Sequence, residues 1–132
     1  MNRRILLIED NEQNRYLVTY LLEARGWVVT HAPDGPSGLE LAGATNPALI
    51  LLDIQLPGMD GYAVARRLRT MTKLEGVPIV AVTSYAMPGD REHCLVAGCT
   101  GYLEKPIDPQ TFVEQVESFL PPDSDTSGPR AS

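Results

Sequence analysis

Four strand-like runs in this chain each stop at a group able to do chemistry. Ile5-Leu6-Leu7-Ile8 stops at Glu9-Asp10, and Ile50-Leu51-Leu52 stops at Asp53. Val77-Pro78-Ile79-Val80-Ala81-Val82 stops at Thr83-Ser84, and Gly101-Tyr102-Leu103-Glu104 stops at Lys105-Pro106. Brought to one place, Glu9, Asp10 and Asp53 would repel one another; at ~4 Å and an effective dielectric near 20, each like-charged pair costs roughly 4 kcal/mol. Protonation of one acid or a bound hard dication relieves this. A few carboxylates with backbone oxygen and water suit Mg²⁺, which keeps part of its hydration shell. The backbone carbonyl of Gln55, lifted by the Pro57-Gly58 turn, is a neutral ligand of the right kind. A hydroxyl from Thr83, an ammonium from Lys105 and a dication around Asp53 form a set suited to phosphoryl transfer. The carboxylate attacks phosphorus while these groups balance the charge spreading over the phosphoryl oxygens. The product would carry about −1.5 to −2 charge on Asp53 and draw Thr83 and Lys105 toward it.

The elements that must position these groups alternate regularly. The aliphatic runs before Glu9, Asp53 and Thr83 read as strands buried on both faces of a parallel sheet. Trp27-Val28-Val29-Thr30 reads as a more polar edge strand. Between the strands, Asn11 caps a helix whose apolar stripe is expected at Tyr16, Leu17, Tyr20, Leu21 and Ala24, with Gly26 ending it. Pro36 opens a short helix around Leu39 and Leu41, closed by Gly43 and Asn46-Pro47. Val64, Leu68 and Met71 recur at helical spacing, and Asp90 to Ala97 forms a helix stopped by Gly98. Pro109 suits the first turn of a last helix carrying Phe112, Val113, Val116, Phe119 and Leu120. Five strands alternating with five helices predict an α/β, doubly wound five-stranded parallel sheet of order 2-1-3-4-5. Its crevice lies where the first and third strands part, beyond their carboxyl ends, and so at Glu9, Asp10 and Asp53.

Composition bounds the reading. The chain has 132 residues, 43% hydrophobic and 21% charged, with a formal net charge of −6. That describes one soluble domain and disfavours a direct nucleic-acid binder, which needs a basic face. No apolar run approaches the ~20 residues of a membrane span, and the start Met1-Asn2-Arg3-Arg4 is not that of a signal peptide. Two cysteines make no disulfide framework, so a cytoplasmic location is expected. From Pro121 the chain turns to Pro, Asp, Ser, Thr and Gly, so residues 1–120 are expected to be the domain and 121–132 a flexible tail.

Over Arg3 to Leu120 the chain resembles the receiver domains of two-component response regulators, a flavodoxin-like fold. The resemblance rests on Ile8-Glu9-Asp10-Asn11, Leu52-Asp53-Ile54-Gln55-Leu56-Pro57-Gly58-Met59-Asp60-Gly61, Val80-Ala81-Val82-Thr83-Ser84 and Gly101-Tyr102-Leu103-Glu104-Lys105-Pro106, in that order. It implies that Asp53 accepts a phosphoryl group from a histidine kinase or a histidine phosphotransfer protein, without the chain being a multiple-turnover enzyme. It implies that Asp10, Asp53 and the Gln55 carbonyl hold Mg²⁺ (Mn²⁺ could substitute), with Glu9 acting partly through water. Thr83 and Lys105 would contact the phosphoryl group, Tyr102 would turn inward as the switch, and Lys105-Pro106 would be cis. Gln55 and Tyr85 flank the pocket as candidates for control of dephosphorylation. With no output domain expected, the signal would pass to a protein target through the fourth helix, fifth strand and fifth helix, with a phosphorylation-dependent homodimer as a further option. The stretch Thr83 to Asp90 resembles both single-domain regulators of the division-control type and receivers of hybrid kinases or phosphate shuttles.

Rival functions fit less well. A flavodoxin-like FMN carrier needs a hydroxyl- and glycine-rich loop after the first strand, where this chain has Glu9-Asp10-Asn11-Glu12. An aspartyl-phosphate phosphohydrolase would have a second Asp two residues after its nucleophile, where Asn11-Glu12 follows Asp10. His31 and His93 have no spaced partner for a metal, Cys94 and Cys99 read as packing residues, and Trp27 as core or sheet-edge filler. Arg66, Arg67 and Arg69 read as a solvated helix face.

Overall fold

The computed structural model describes residues 2–56, 58–84 and 88–121. Strands β1 (Arg4–Ile8), β2 (Val28–Ala32), β3 (Leu49–Asp53), β4 (Ile79–Thr83) and β5 (Gly101–Glu104) pair in parallel in the expected order, β2-β1-β3-β4-β5. Helices α1 (Glu12–Glu23), α2 (Gly35–Ala44), α3 (Gly61–Arg69), α4 (Asp90–Ala97) and α5 (Phe112–Glu117) connect them, with a 3-10 turn at Thr72–Leu74. The period of two along the buried strands sorts the core into two layers. Leu6, Ile8, Ile50, Leu52, Ile79 and Ala81 face one way, against α2, α3 and α4. Ile5, Leu7, Leu49, Leu51, Val80 and Val82 face the other way, against Trp27, α1 and α5. Every residue of β3 and β4 is buried, which is why both read as unbroken aliphatic runs.

The expected stripe of α1 is covered only in part. Val18 and Leu22 are buried, with Leu21 packed beside them, while Tyr16 and Tyr20 are 74% and 64% exposed. This helix carries apolar residues on two stripes; only the Ile5 and Leu7 face of β1 selects the one that is covered. Gly43 does not end α2 but sits in its last turn; Thr45 caps it through its N–H and hydroxyl to the Leu41 carbonyl (2.9 and 2.7 Å). Pro109 precedes α5 in a turn closed by Phe112 N–H to the Asp108 carbonyl (2.9 Å), so that helix starts later than expected.

Arg69 also departs from the sequence reading. Arg66 and Arg67 are exposed, but Arg69 folds inward at the amino edge of the sheet. Its guanidinium donates to the carbonyls of Gly98 (2.8 Å), Leu74 (3.0 Å) and Val77 (2.8 Å), and to the Thr100 hydroxyl (3.3 Å). Its position four residues after buried Ala65 places it on the rim of the helix's buried stripe. Cys94 and Cys99 are free and buried, as packing residues should be. They meet at the end of α4, where Gly98 adopts φ +109° and the Cys99 N–H reaches the Cys94 carbonyl at 2.9 Å. That pattern is a Schellman stop, and the two side chains form its usual apolar contact.

Candidate functional site

The ends of β1 and β3 part at the carboxyl edge because β1 hands on to β2 on one side and β3 to β4 on the other. Glu9 and Asp53 are pinned there by backbone geometry. The Glu9 N–H donates to the Ala32 carbonyl (3.0 Å), and the Ile54 N–H donates to the Val82 carbonyl (3.1 Å). Both carboxylates are only 3% exposed, whereas Asp10 faces solvent. The chain then turns at once into α1, whose N-cap Asn11 accepts the Asn14 N–H at 2.9 Å. After Asp53 the backbone passes so close to α3 that a Cβ on Gly61 would lie 2.5 Å from Ile54 Cα. Only glycine permits that contact, and it seats the loop that carries Gln55.

One oxygen from each of Glu9, Asp10 and Asp53 lies within 4.8 Å of the others. Asp53 Oδ1 accepts the Gln55 N–H (2.9 Å), and Glu9 Oε2 accepts the Asn11 N–H (3.1 Å). The remaining oxygens, Asp53 Oδ2 and Glu9 Oε1, each lie 3.4 Å from Lys105 Nζ. Lys105 is set by its own N–H, which donates to the Thr83 carbonyl (2.8 Å); the Lys105-Pro106 bond is cis. Burial, a hydrogen bond to Asp53 and the charge of Asp53 push the Glu9 carboxyl up to about 7, against the pull of Lys105 and the Asn11 N–H. Such a site prefers to take up positive charge as a proton or a hard cation, and its all-oxygen donor set fits a dication such as Mg²⁺.

Sequence reasoning placed these groups correctly: Glu9, Asp10, Asp53 and Lys105 converge, and Thr83 is buried at the neighbouring strand end. Tyr102 stands apart from the acids, half-buried against the core on β5, with its hydroxyl donating to Glu104 Oε2 at 3.3 Å. Partial burial and the Glu104 carboxylate raise the phenol of Tyr102 above its ordinary value. Tyr85 and Pro57 lie outside the described residues, as does the tail from Pro122. One contact was not foreseen. The Gln55 side chain, expected beside the pocket as a candidate for control of dephosphorylation, accepts the Ser84 N–H through Oε1 (3.1 Å) and ties the loop after β3 to the loop after β4. No spacing signals this contact, because it depends on which way an amide turns.

A 2-1-3-4-5 parallel sheet with acids, a hydroxyl and a lysine gathered on its carboxyl edge is the CheY-like, flavodoxin-type architecture. The chain belongs to the response regulator receiver domain family, whose model matches residues 5–117. It is therefore a receiver domain of two-component signalling. Its sequence is 39% identical over 120 residues to the polar-differentiation response regulator DivK of Brucella ovis, covering 91% of this chain and 98% of DivK. Its structure is similar to that of chemotaxis response regulator CheY4 of Vibrio cholerae, with a TM-score of 0.86 at 26% identity, covering 91% of this chain and 100% of that one. It is also similar to the receiver domain of sensor histidine kinase PA1611 of Pseudomonas aeruginosa, which holds a magnesium ion in its active site cleft. There the TM-score is 0.81 at 35% identity, covering 90% of this chain and 98% of that one.

Proposed function

We propose that this receiver takes a phosphoryl group onto Asp53 from the phosphohistidine of a sensor histidine kinase or a histidine phosphotransfer protein, in a Mg²⁺-dependent step. The observation that carries the reading is Lys105 Nζ lying 3.4 Å from both Asp53 Oδ2 and Glu9 Oε1. At rest that ammonium offsets the charge of two buried acids, and it is placed to neutralise a phosphoryl group arriving at Asp53.

An Asp53 carboxylate oxygen forms the bond to phosphorus as the P–N bond to the donor imidazole breaks, and the electron pair leaves on that nitrogen. The Thr83 hydroxyl and the Lys105 ammonium offer donors to the phosphoryl oxygens, and the burial of Asp53 keeps these interactions strong. Asp10, Asp53 and the Gln55 carbonyl would hold the metal, with Glu9 through water. Mg²⁺, or Mn²⁺ in its place, supplies charge neutralisation at the phosphoryl oxygens. No covalent turnover of an external substrate is involved, so the chain acts as a phosphoacceptor rather than an enzyme in the usual sense.

The phosphoryl charge would draw Thr83 and Lys105 inward and change the face made by α4, β5 and α5. There Leu95 and Val96 are 45% and 85% exposed, and Tyr102 lies alongside as the switch. A protein target reads that face, in the cytoplasm; no helix among the described residues is long and apolar enough to cross a membrane. The test is incubation with Mg²⁺ and a small phosphodonor such as acetyl phosphate, read by intact mass and peptide mapping. Wild type gains one phosphoryl group on Asp53, and Asp53→Asn gains none. Equal modification of the Asn variant would remove Asp53 from the mechanism.

A further inference from the structure

The two cysteines of this chain meet, and neither belongs to the acidic site. The helix stop at Gly98 brings them together. The Cys99 N–H donates to the Cys94 carbonyl at 2.9 Å. Standard bond lengths on either side of that contact keep the two Cα atoms within about 7 Å, the outer limit for a disulfide. The side chains follow the backbones: the thiols of Cys94 and Cys99 are hydrogen-bonded to each other, and the Tyr62 hydroxyl reaches Cys94 from α3. Arg69 brings a positive charge beside Cys99. Donors and a cation of this kind favour a thiolate, which two apolar side chains in the same contact would not need.

With α4 in place the two thiols are unreactive. They are 1% and 5% exposed, and burial pushes Cys99 up to about 12 and raises Cys94 as well. Reaction therefore waits on an opening of α4, and this helix is lightly held. It is eight residues long, buries only Cys94 and Ala97, and starts at Gly89, which has no side chain to cap it. An element with so few buried contacts opens locally at a much smaller free energy than the whole domain. Leu95 and Val96 lie between the two cysteines and belong to the face proposed above for target binding.

We propose that Cys94 and Cys99 are a redox pair that closes to a disulfide under a small peroxide and fixes the end of α4 to the start of β5. Cys94, with Tyr62 as its donor, loses its proton to water and attacks a peroxide oxygen. The O–O bond breaks, the Cys94 sulfur becomes a sulfenic acid, and the departing oxygen takes up a proton to leave as water. Cys99 then loses its proton and attacks the Cys94 sulfur; the S–S bond forms as the S–O bond breaks, and a second water leaves. Two thiols are oxidised and one peroxide is reduced, and a dithiol reductant reverses the bond by exchange. In a reducing compartment such a bond is transient and acts as a sensor. It sits where β5 begins, at the amino edge of the sheet, so it restrains the α4 and β5 face without entering the acid cluster.

The experiment exposes the reduced, folded full chain to hydrogen peroxide, then unfolds it and counts free thiols with a maleimide by intact mass. Wild type should pass from two maleimides to none, lose two hydrogens in mass and stay a monomer on a non-reducing gel. Dithiothreitol should restore both maleimides. Cys94→Ser and Cys99→Ser, each left with one thiol, should show no two-hydrogen loss as monomers. In oxidised wild type, hydrogen exchange of the amides over 94–102 should be about 10-fold slower than in the reduced protein, because the opening that exposes them is now restrained. Wild-type thiols that survive peroxide, oxidation that stops at sulfinic acid or at an intermolecular dimer, or closure seen only in the unfolded chain overturns the redox pair. Closure that leaves exchange over 94–102 unchanged overturns its hold on α4 and β5.

Discussion

Glu9 and Asp10 are neighbours in sequence and opposites in environment. Glu9 continues the inward alternation of β1 and is buried at 3% exposure, while Asp10 projects into solvent. Burial beside Asp53 gives Glu9 the inverse of the usual carboxylate behaviour. The unfolded chain releases its proton near 4.5 and the folded chain near 7, so between these values the folded state binds the extra proton. Stability from that proton is fully present below 4.5 and is lost as pH rises through about 7. The metal-free protein should therefore lose on the order of 2 kcal/mol across that interval, and Glu9→Gln should flatten the dependence. Urea unfolding with a chelator present, repeated across pH, measures it; a metal-free protein that gains stability over the same interval would mean that Glu9 ionises freely.

At the scale of elements, the two edges of the sheet have different duties. The carboxyl edge collects acids and loops, and the amino edge is tied down, chiefly by Arg69. That side chain joins the end of α3 to the turn at Leu74, the approach to β4 at Val77 and the stop of α4 at Gly98. Arg69→Ala would strand those carbonyls half-buried, and the expected loss is about 2–4 kcal/mol of unfolding free energy. Lys in its place should recover little, because one ammonium cannot reproduce a planar fork spanning several acceptors. Because Arg69 sits at the far edge from Asp53, affinity for beryllofluoride, a phosphoryl mimic, should match wild type in the folded variant. Urea melts together with a binding titration separate the two effects, and a large change in affinity would show that the edges are coupled.

Across the whole molecule, the doubly wound sheet places strand ends rather than strand faces in the crevice, and a ligand there binds only the folded chain. Free Mg²⁺ at 100-fold above its dissociation constant should raise the unfolding free energy by about 2.7 kcal/mol, and Asp10→Asn should remove most of that gain. The gain should grow between 4.5 and about 7, as the metal takes the place of the proton near Glu9. Metal-free and Mg²⁺-loaded proteins should thus show opposing trends with pH in differential scanning calorimetry. A wild-type melting temperature indifferent to Mg²⁺ at every pH would eliminate the metal site.

The strand order, the two-layer core, the meeting of Glu9, Asp10, Asp53 and Lys105, and the place of Thr83 at the neighbouring strand end were legible in the amino-acid sequence. Strands buried on both faces must be aliphatic throughout, so the residue that ends each run is also the residue at the sheet's edge. The covered stripe of α1, the inward turn of Arg69 on α3 and the amide of Gln55 were not legible. Which stripe of α1 is covered depends on β1, and which arginine of α3 turns inward depends on a carbonyl 29 residues away at Gly98. Gln55 likewise finds its acceptor role 29 residues away at Ser84. Burial pattern is written locally, in periods of two and 3.6, and can be read without the fold. A hydrogen bond between distant segments is directional and competitive, and only the tertiary structure decides which donor is left over and which side chain takes it.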